Sequence, residues 1–107
     1  MRPHDPGQPV FRALADPTRR AIVSMLAMRE RTVGEIAASF EITRPAVAKH
    51  LAILKEGDII RVRTNGRERI NTLNPAALKR AADWLNYFDH FWDEKLANLK
   101  KAVEKKS

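Results

Sequence analysis

Four arginines stand in the nine-residue stretch RVRTNGRER, residues 61–69, around an Asn-Gly pair. Guanidinium groups spaced in this way suit the phosphates of a nucleic acid, and an arginine at a hairpin tip can enter a minor groove. An edge hairpin protected from aggregation by charge is the alternative explanation. Four arginines exceed what such protection requires, so we expect DNA contacts from Arg63, Arg67 and Arg69, with Arg67 at the tip.

A second group of chemically useful residues precedes this hairpin, in the stretch TRPAVAKHLAILK at 43–55. Its apolar residues recur at helical spacing and define a buried side, which comprises Val47, Leu51 and Leu54. The opposite side presents Arg44, Pro45, Ala48 and Lys49. Small residues let a helix approach base edges, Arg44 can pair with guanine through two hydrogen bonds, and Lys49 can reach guanine or phosphate. Ordinary solvated basic residues would give the same pattern, and the neighbouring elements favour recognition. We interpret His50, between the two sides, as a partly buried packing residue.

Local capping signals place the helices that support this unit. An Asp-Pro pair at 16–17 is an N-cap followed by proline at the first helical position. Thr32 and Glu35 have the spacing of a capping box, and Thr43 is the next expected N-cap. Gly57 stands where a C-cap glycine belongs. These signals predict a helix-turn-helix over 32–55.

After Gly57 the apolar period changes from helical to alternating. Residues 59–64 and 67–73 predict two strands of a wing, and the intervening Asn65-Gly66 predicts a type I′ turn, which needs positive φ at both positions. Asn74-Pro75 predicts the start of a long last helix, with a break near 83–88 left open. The expected fold is mostly α with a small β-hairpin, in the order α-α-α-α-β-β-α.

Helices at both ends, 9–15 and 75–105, carry large apolar and aromatic side chains at helical spacing. A ligand pocket is one explanation of this aromatic set. We prefer a core plus a dimer interface, because a chain of this length buries only a modest core of its own. The expected interface comprises Val10, Phe11, Leu14, Leu85, Phe88, Phe91, Trp92, Leu96 and Leu99.

The length and the net charge of the chain restrict the class of protein to which it can belong. The 107 residues predict a single domain over 9–107 after a disordered tail, 1–8. The net charge is +7, and residues 43–74 hold seven basic and three acidic side chains. This uneven distribution suggests a polyanionic partner, although a soluble basic protein would also fit.

The residue types that are absent exclude several kinds of chemistry. There is no cysteine, which removes disulfides, thiol sensing and thiolate metal sites. No phosphate-binding glycine loop and no Ser/His/Asp arrangement is present, so we expect neither an enzyme nor a cofactor. His90 and Asp93 could supply two metal ligands, too few for a tetrahedral site in one chain. No apolar run is long enough to span a membrane and the N-terminus does not resemble a signal peptide, so we expect a cytoplasmic protein, associated with the nucleoid when bound to DNA.

The stretches FRALADPTRRAIVSML, TVGEIAASFEITRPAVAKHLAILKEGDII and RTNGRERINTLNP together resemble the ArsR/SmtB-type winged helix-turn-helix regulators of bacteria. The ending DWLNYFDHFWDEKLANL resembles a subgroup of that family with a WL…FW…L helix. The resemblance implies a homodimer joined through its first and last helices. It also implies double-stranded DNA as the partner, with recognition helices in successive major grooves of a palindromic operator and wings over minor grooves.

Residue by residue, the resemblance assigns DNA contacts in the recognition helix to Arg44, Pro45, Ala48 and Lys49. It makes Thr43 an N-cap that also touches phosphate, and Arg67 the wing residue after glycine. The chain departs from the family's metal sensors, because ERTVGEIA lacks the cysteine motif and Asp83-Trp84-Leu85 lacks the histidine of the C-terminal site. We therefore expect a homodimeric repressor without metal or thiol sensing, with its effector unknown. The alternatives are a sequence-independent architectural DNA-binding protein and a helical interaction module.

Overall fold

A computed structural model describes residues 8–105 and confirms a mostly helical winged helix-turn-helix fold. The predicted tail lies outside the described residues, except that Gln8 already begins the first helix. The elements in chain order are α1 (Gln8–Leu14), α2 (Pro17–Met28), β1 (Arg31–Thr32), α3 (Val33–Phe40), α4 (Arg44–Glu56), β2 (Ile60–Asn65), β3 (Glu68–Leu73), α5 (Pro75–Asn86) and α6 (Asp89–Lys105). One detail differs from the expected order, a short strand before α3. The break that the sequence left open near 83–88 is present and divides the last helix in two.

Side-chain caps fix the first residues of three helices, as predicted. The Asp16 carboxylate accepts a hydrogen bond from the Arg19 amide at 3.0 Å, and Thr43 Oγ1 accepts one from the Ala46 amide at 3.2 Å. At α3 the capping box is complete: the Glu35 amide donates to the Thr32 hydroxyl and the Thr32 amide donates to the Glu35 carboxylate. The start of α4, where the expected DNA contacts begin, is therefore defined by local bonds.

These capping carboxylates predict a loss of stability in acid. A backbone hydrogen bond from Arg19 lowers the pKa of Asp16 below 3.8, and one from Thr32 lowers the pKa of Glu35 below 4.5. A carboxyl group whose pKa is lower in the folded state stabilises it fully above the unfolded pKa, and this contribution disappears as the pH falls through the folded pKa. The melting temperature of the wild type should therefore fall more steeply, between about pH 5 and about pH 2.5, than that of an Asp16→Asn, Glu35→Gln variant. Equal slopes in thermal scans would refute this prediction.

The core lies where α2, α3, α4 and the sheet meet. Its largest fully buried apolar side chains are Ile22, Ile36, Val47, Leu54, Ile59 and Ile60. Two of them come from the predicted buried side of α4, and the third residue of that side, Leu51, is also buried. Burial of this side against α3 and α2 leaves the opposite side of α4 exposed to solvent.

Gly57 ends α4, as predicted, but not because of its backbone freedom. Its φ is −80°, and the positive φ of this turn, 59°, belongs to Asp58. A Cβ atom on Gly57 would lie 2.8 Å from the carbonyl oxygen of Pro9 and 3.3 Å from Cα of Val10. Glycine is therefore required here because α1 packs directly against the end of α4.

Replacement of Gly57 by alanine should lower the free energy of unfolding by about 1–3 kcal/mol, because the atoms in its way are backbone and cannot rotate aside. Urea unfolding monitored by circular dichroism measures this change. The matched control is Lys55→Ala, at an exposed position of the same helix end, which should change stability by no more than about 0.5 kcal/mol. Equal stability of the two variants would contradict the proposed contact.

The hairpin turn differs from its prediction by one residue. Asn65 pairs with Glu68, so the turn consists of Gly66 and Arg67, and of these residues only Gly66 has a positive φ, 64°. The type I′ turn at Asn65-Gly66 was therefore wrong, since glycine at the first central position is the pattern of type II′. The register is decided outside the turn, because β3 also pairs with β1 on its other edge and its central residues are buried.

Asn74 also differs from its prediction, because its side chain makes no capping bond to α5. Its amide group instead donates to the backbone oxygen of Asp58 at 2.8 Å and to the Asp58 carboxylate at 3.2 Å. These bonds join the end of the sheet to the loop after α4. Asn74 thus stabilises the base of the wing.

The last helix is interrupted between Asn86 and Asp89 although no proline or glycine lies there. Beyond the break, α6 contributes no buried residue. The radius of gyration is 18.9 Å, whereas a compact chain of this length would have about 13 Å, so α6 projects from the body of the protomer. No helix within residues 8–105 is long and apolar enough to cross a membrane.

Candidate nucleic-acid interface

The exposed side of α4 carries the residues that the sequence assigned to it. Arg44, Pro45, Ala48 and Lys49 are exposed. Thr43, one residue before the helix, is exposed as well, and its hydroxyl oxygen already accepts the capping bond. His50 is half-buried, with Nδ1 lying 3.4 Å from an Arg19 guanidinium nitrogen and 3.9 Å from the Asp16 carboxylate. It therefore packs α4 against the start of α2, in agreement with its interpretation as a packing residue.

The arginines of the wing have different surroundings. Arg63 forms an ion pair with Glu30, 33 residues earlier in the chain. Arg63 pairs across the hairpin with Ile70 and Thr64 pairs with Arg69, so Arg63 and Arg69 project from opposite faces. Arg67 lies in the turn itself. The charge of Arg63 is thus partly neutralised and ties the wing to the loop before β1, whereas Arg67 and Arg69 form no ion pair with the acidic side chains of the described residues.

A surface depression of about 310 Å³ lies between the wing, the start of α3 and the start of α4. It is lined by Thr32, Val33, Gly34, Arg44, Arg67, Glu68 and Arg69. Three arginines line it, Arg44 from the start of α4 and Arg67 and Arg69 from the wing, together with one acidic residue, Glu68. Sequence analysis did not assign the three residues around the start of α3 to the site, although the capping box was a signal for an exposed helix N-terminus.

Arg44 owes its position in this depression to a glycine. A Cβ atom built on Gly34 would lie 3.0 Å from Nη2 of Arg44 and 3.4 Å from its Cζ. The guanidinium group therefore lies against the first turn of α3. A side chain at residue 34 would oblige this guanidinium group to shift.

Apolar side chains remain exposed at the other end of the protomer. Phe11 packs edge-on against Trp84, with ring centroids 5.4 Å apart, and Trp84 packs similarly against Phe88 at 5.0 Å. The exposed large apolar residues of the expected interface are Leu85, Phe91, Trp92, Leu96 and Leu99. Phe11 and Leu14 are partly buried. Val10 instead belongs to the protomer core, with 6% of its surface exposed, because the start of α1 packs against the end of α4.

The structure offers no candidate metal site within residues 8–105, where no three side chains of His, Cys, Asp or Glu come together. The histidine of the His90–Asp93 pair is exposed, as is its partner. Nothing in the depression resembles a metal centre either, because its lining is mainly cationic.

Comparison with known proteins identifies the family and the fold. The sequence profile "Bacterial regulatory protein, arsR family" matches residues 16–62. The transcriptional repressor SdpR of Bacillus subtilis is 36% identical over 87 residues, which cover 81% of this chain and 97% of SdpR. The chain belongs to the ArsR family. The HTH-type transcriptional regulator Rv2034 of Mycobacterium tuberculosis, 37% identical, agrees, with 88% of this chain and 85% of the relative covered.

The three-dimensional likeness extends beyond the matched segment. The structure of an ArsR-like transcriptional regulator from Rhodococcus sp. RHA1 superimposes with a TM-score of 0.73 at 30% identity, covering 91% of this chain and 92% of that one. This ArsR-family protein is thus a DNA-binding transcriptional regulator rather than an enzyme. In helix-turn-helix proteins the second helix of the motif, here α4, is the element that docks in the major groove of DNA.

Proposed function

We propose that this ArsR-family protein is a homodimeric repressor of a palindromic operator in double-stranded DNA. The observation that carries the proposal is the shared placement of two basic elements. The start of α4 and the turn of the wing line one depression, so a single duplex can meet both of them. Binding at a promoter by such a protein would block access to it.

In the proposed complex, α4 enters a major groove with Ala48 and Lys49 toward the base edges. Ala48 adds little bulk, and the Lys49 ammonium can donate to guanine. Pro45 and Thr43 lie at the end of α4 nearest the phosphates, while Arg67 and Arg69 contact the backbone beside the adjacent minor groove. Dimer symmetry then places the two half-sites about one helical turn apart.

The second protomer is proposed to cover the exposed apolar side of α6. No residue of this helix is buried in its own protomer, and it presents Trp92, Leu96 and Leu99 to solvent. Exposed apolar patches of this extent mark interaction sites in soluble proteins. Phe11 and Leu14 of α1, with Leu85, Phe88 and Phe91, extend the same surface.

We also propose that the regulator does not sense metals or thiols as metal-responsive relatives do. The chain has no cysteine. At the position of the C-terminal metal motif, Asp83 forms an ion pair with Lys79 at 3.0 Å, and the histidine that the motif requires is replaced by Leu85. Thermal scans with and without zinc should therefore give the same melting temperature.

Selection of fragments from host genomic DNA, followed by binding titrations of the best and worst fragments, tests the proposal. A palindrome preferred by about 10³-fold or more would support an operator-binding regulator. Even binding to all fragments would favour the architectural alternative. A promoter reporter that carries the selected palindrome then separates repression from activation.

Lys49→Ala should reduce the preference for the selected palindrome. We expect a loss of about 1–3 kcal/mol on the operator and a much smaller loss on unrelated DNA, because a base contact is present only at the correct sequence. Lys55→Ala is the matched control, since it removes the same charge from the last turn of α4, away from the depression. Equal losses on both DNAs would show that Lys49 contacts only phosphate. Fluorescence anisotropy at fixed salt gives both affinities.

A further inference from the structure

The arginine-lined depression has a composition that suits one anionic group. Arg44, Arg67 and Arg69 bring three positive charges against the single negative charge of Glu68. None of these three arginines has an ion-pair partner among residues 8–105. By contrast, Arg12, Arg29 and Arg63 are each paired with a glutamate. The depression therefore keeps a net positive charge that an anionic group could neutralise.

The position of Arg44 argues against contact with a base edge. Arg44 is the first residue of α4, and its guanidinium group lies over Gly34 in the first turn of α3. Its fork of donors is thus directed to the junction of two helices and the wing. A planar guanidinium group in such a junction suits the tetrahedral oxygens of a phosphate, which it can bind through two parallel hydrogen bonds.

The backbone at the start of α3 adds donors to the same place. The capping box engages the amides of Thr32 and Glu35. Val33 and Gly34, the first two residues of the helix, line the depression, and amides in the first turn have no acceptor within their own helix. They support the arginines by adding a partial positive charge on the floor of the depression.

We infer that this depression binds one phosphate group of the DNA backbone in each half-site, with Arg44, Arg67 and Arg69 as its ligands. The inference rests on the proposed function and replaces one expectation from the sequence: Arg44 is a phosphate ligand and not a base reader. Gly34 leaves room for the Arg44 guanidinium, since a Cβ atom there would lie 3.0 Å from Nη2 and the guanidinium would have to shift. A phosphate of the duplex is favoured over a free phosphate, since the depression opens between the two elements proposed to straddle the DNA backbone.

A scan with neutral linkages tests the inference. Single methylphosphonates are placed at successive positions of the operator, and the affinities of the wild type and Arg44→Ala are measured by anisotropy. At one position in each half-site the wild type should lose about tenfold in affinity, as expected for one charge-assisted contact, and Arg44→Ala should lose about twofold or less. The variant should also keep the operator preference of the wild type. Equal losses for both proteins at every position, or loss of the preference, would overturn the assignment.

A second variant tests the role of Gly34. Gly34→Leu, whose side chain extends beyond the Cβ position into the space of the Arg44 guanidinium, should weaken DNA binding in the wild-type background and have a much smaller effect when combined with Arg44→Ala. Additive effects of the two substitutions would contradict the inference. Circular dichroism of both variants excludes unfolding as the cause.

Two further measurements distinguish a failure of this inference from a failure of the proposed function. The slope of log affinity against log salt concentration should be smaller by about 1 for Arg44→Ala than for the wild type, on any duplex. Because this measurement does not require an operator, its result is independent of the proposed function. Inorganic phosphate is titrated into the free protein at constant ionic strength while the arginine side-chain NMR signals are followed. Saturable binding at low millimolar concentration that Arg44→Ala abolishes would overturn the assignment to DNA and identify a free-anion site.

Discussion

Replacement of Leu96 and Leu99 by glutamate is expected to convert the proposed dimer into monomers and to weaken binding to the proposed operator by about 10²–10⁴-fold. Both side chains lie on the apolar side of α6 and are about 60% exposed in the protomer. Two carboxylates on this surface would have to be buried without partners in the dimer, which is strongly unfavourable. Two linked half-site contacts bind far more tightly than one, so loss of the dimer removes this gain.

An effect of these substitutions can be assigned to dimerisation and not to unfolding, because α6 has no buried residue in the protomer. The substituted protein should keep its fold and its melting behaviour apart from the concentration dependence that dimerisation adds. Analytical ultracentrifugation gives the mass, and anisotropy gives the affinity. Glutamate at Ala97 is the control, since it adds a carboxylate to the side of the helix away from the two leucines and should leave the dimer intact. A double variant at the two leucines that remains dimeric would exclude this surface as the interface.

Raising the salt concentration from about 50 to about 200 mM is expected to weaken operator binding by about 10³–10⁵-fold, if each dimer neutralises about 6–10 phosphates. The basic residues available for this are those without acidic partners, chiefly Arg44, Lys49, Arg67 and Arg69. The gain in free energy comes from cations released from the DNA, which is why it falls as the salt concentration rises.

The slope of log affinity against log salt concentration also identifies the residues that contact phosphates. Arg67→Ala should reduce the slope by about 1 for each contact removed. Lys79→Ala should leave it unchanged, because that ammonium group pairs with Asp83 on α5, away from the wing. A slope near zero in the wild type would leave only uncharged contacts and would refute the DNA-binding surface described here. An unchanged slope in Arg67→Ala would remove the wing from it.

The features that could be predicted from the sequence are those that depend on interactions between residues close together in the chain. The caps at Asp16, Thr32 and Thr43 were predictable because each bond spans only three residues of the chain. The buried and exposed sides of α4 were predictable for the same reason, since helical spacing alone defines them. From these features the sequence also predicted the fold class and the basic side of α4.

Only the tertiary structure decided the features that join distant segments. The hairpin turn is shifted to Gly66-Arg67 because pairing of β3 with β1 constrains the register. Gly57 is required by the approach of α1 and not by its own φ. The sequence by itself determined which residues are basic and which side of a helix they occupy. The packing of α3 against α4 and the sheet decided that Arg63 pairs with Glu30. It also decided that Arg44 lines the same depression as Arg67 and Arg69. Residues this far apart in the sequence become neighbours only after the chain has folded.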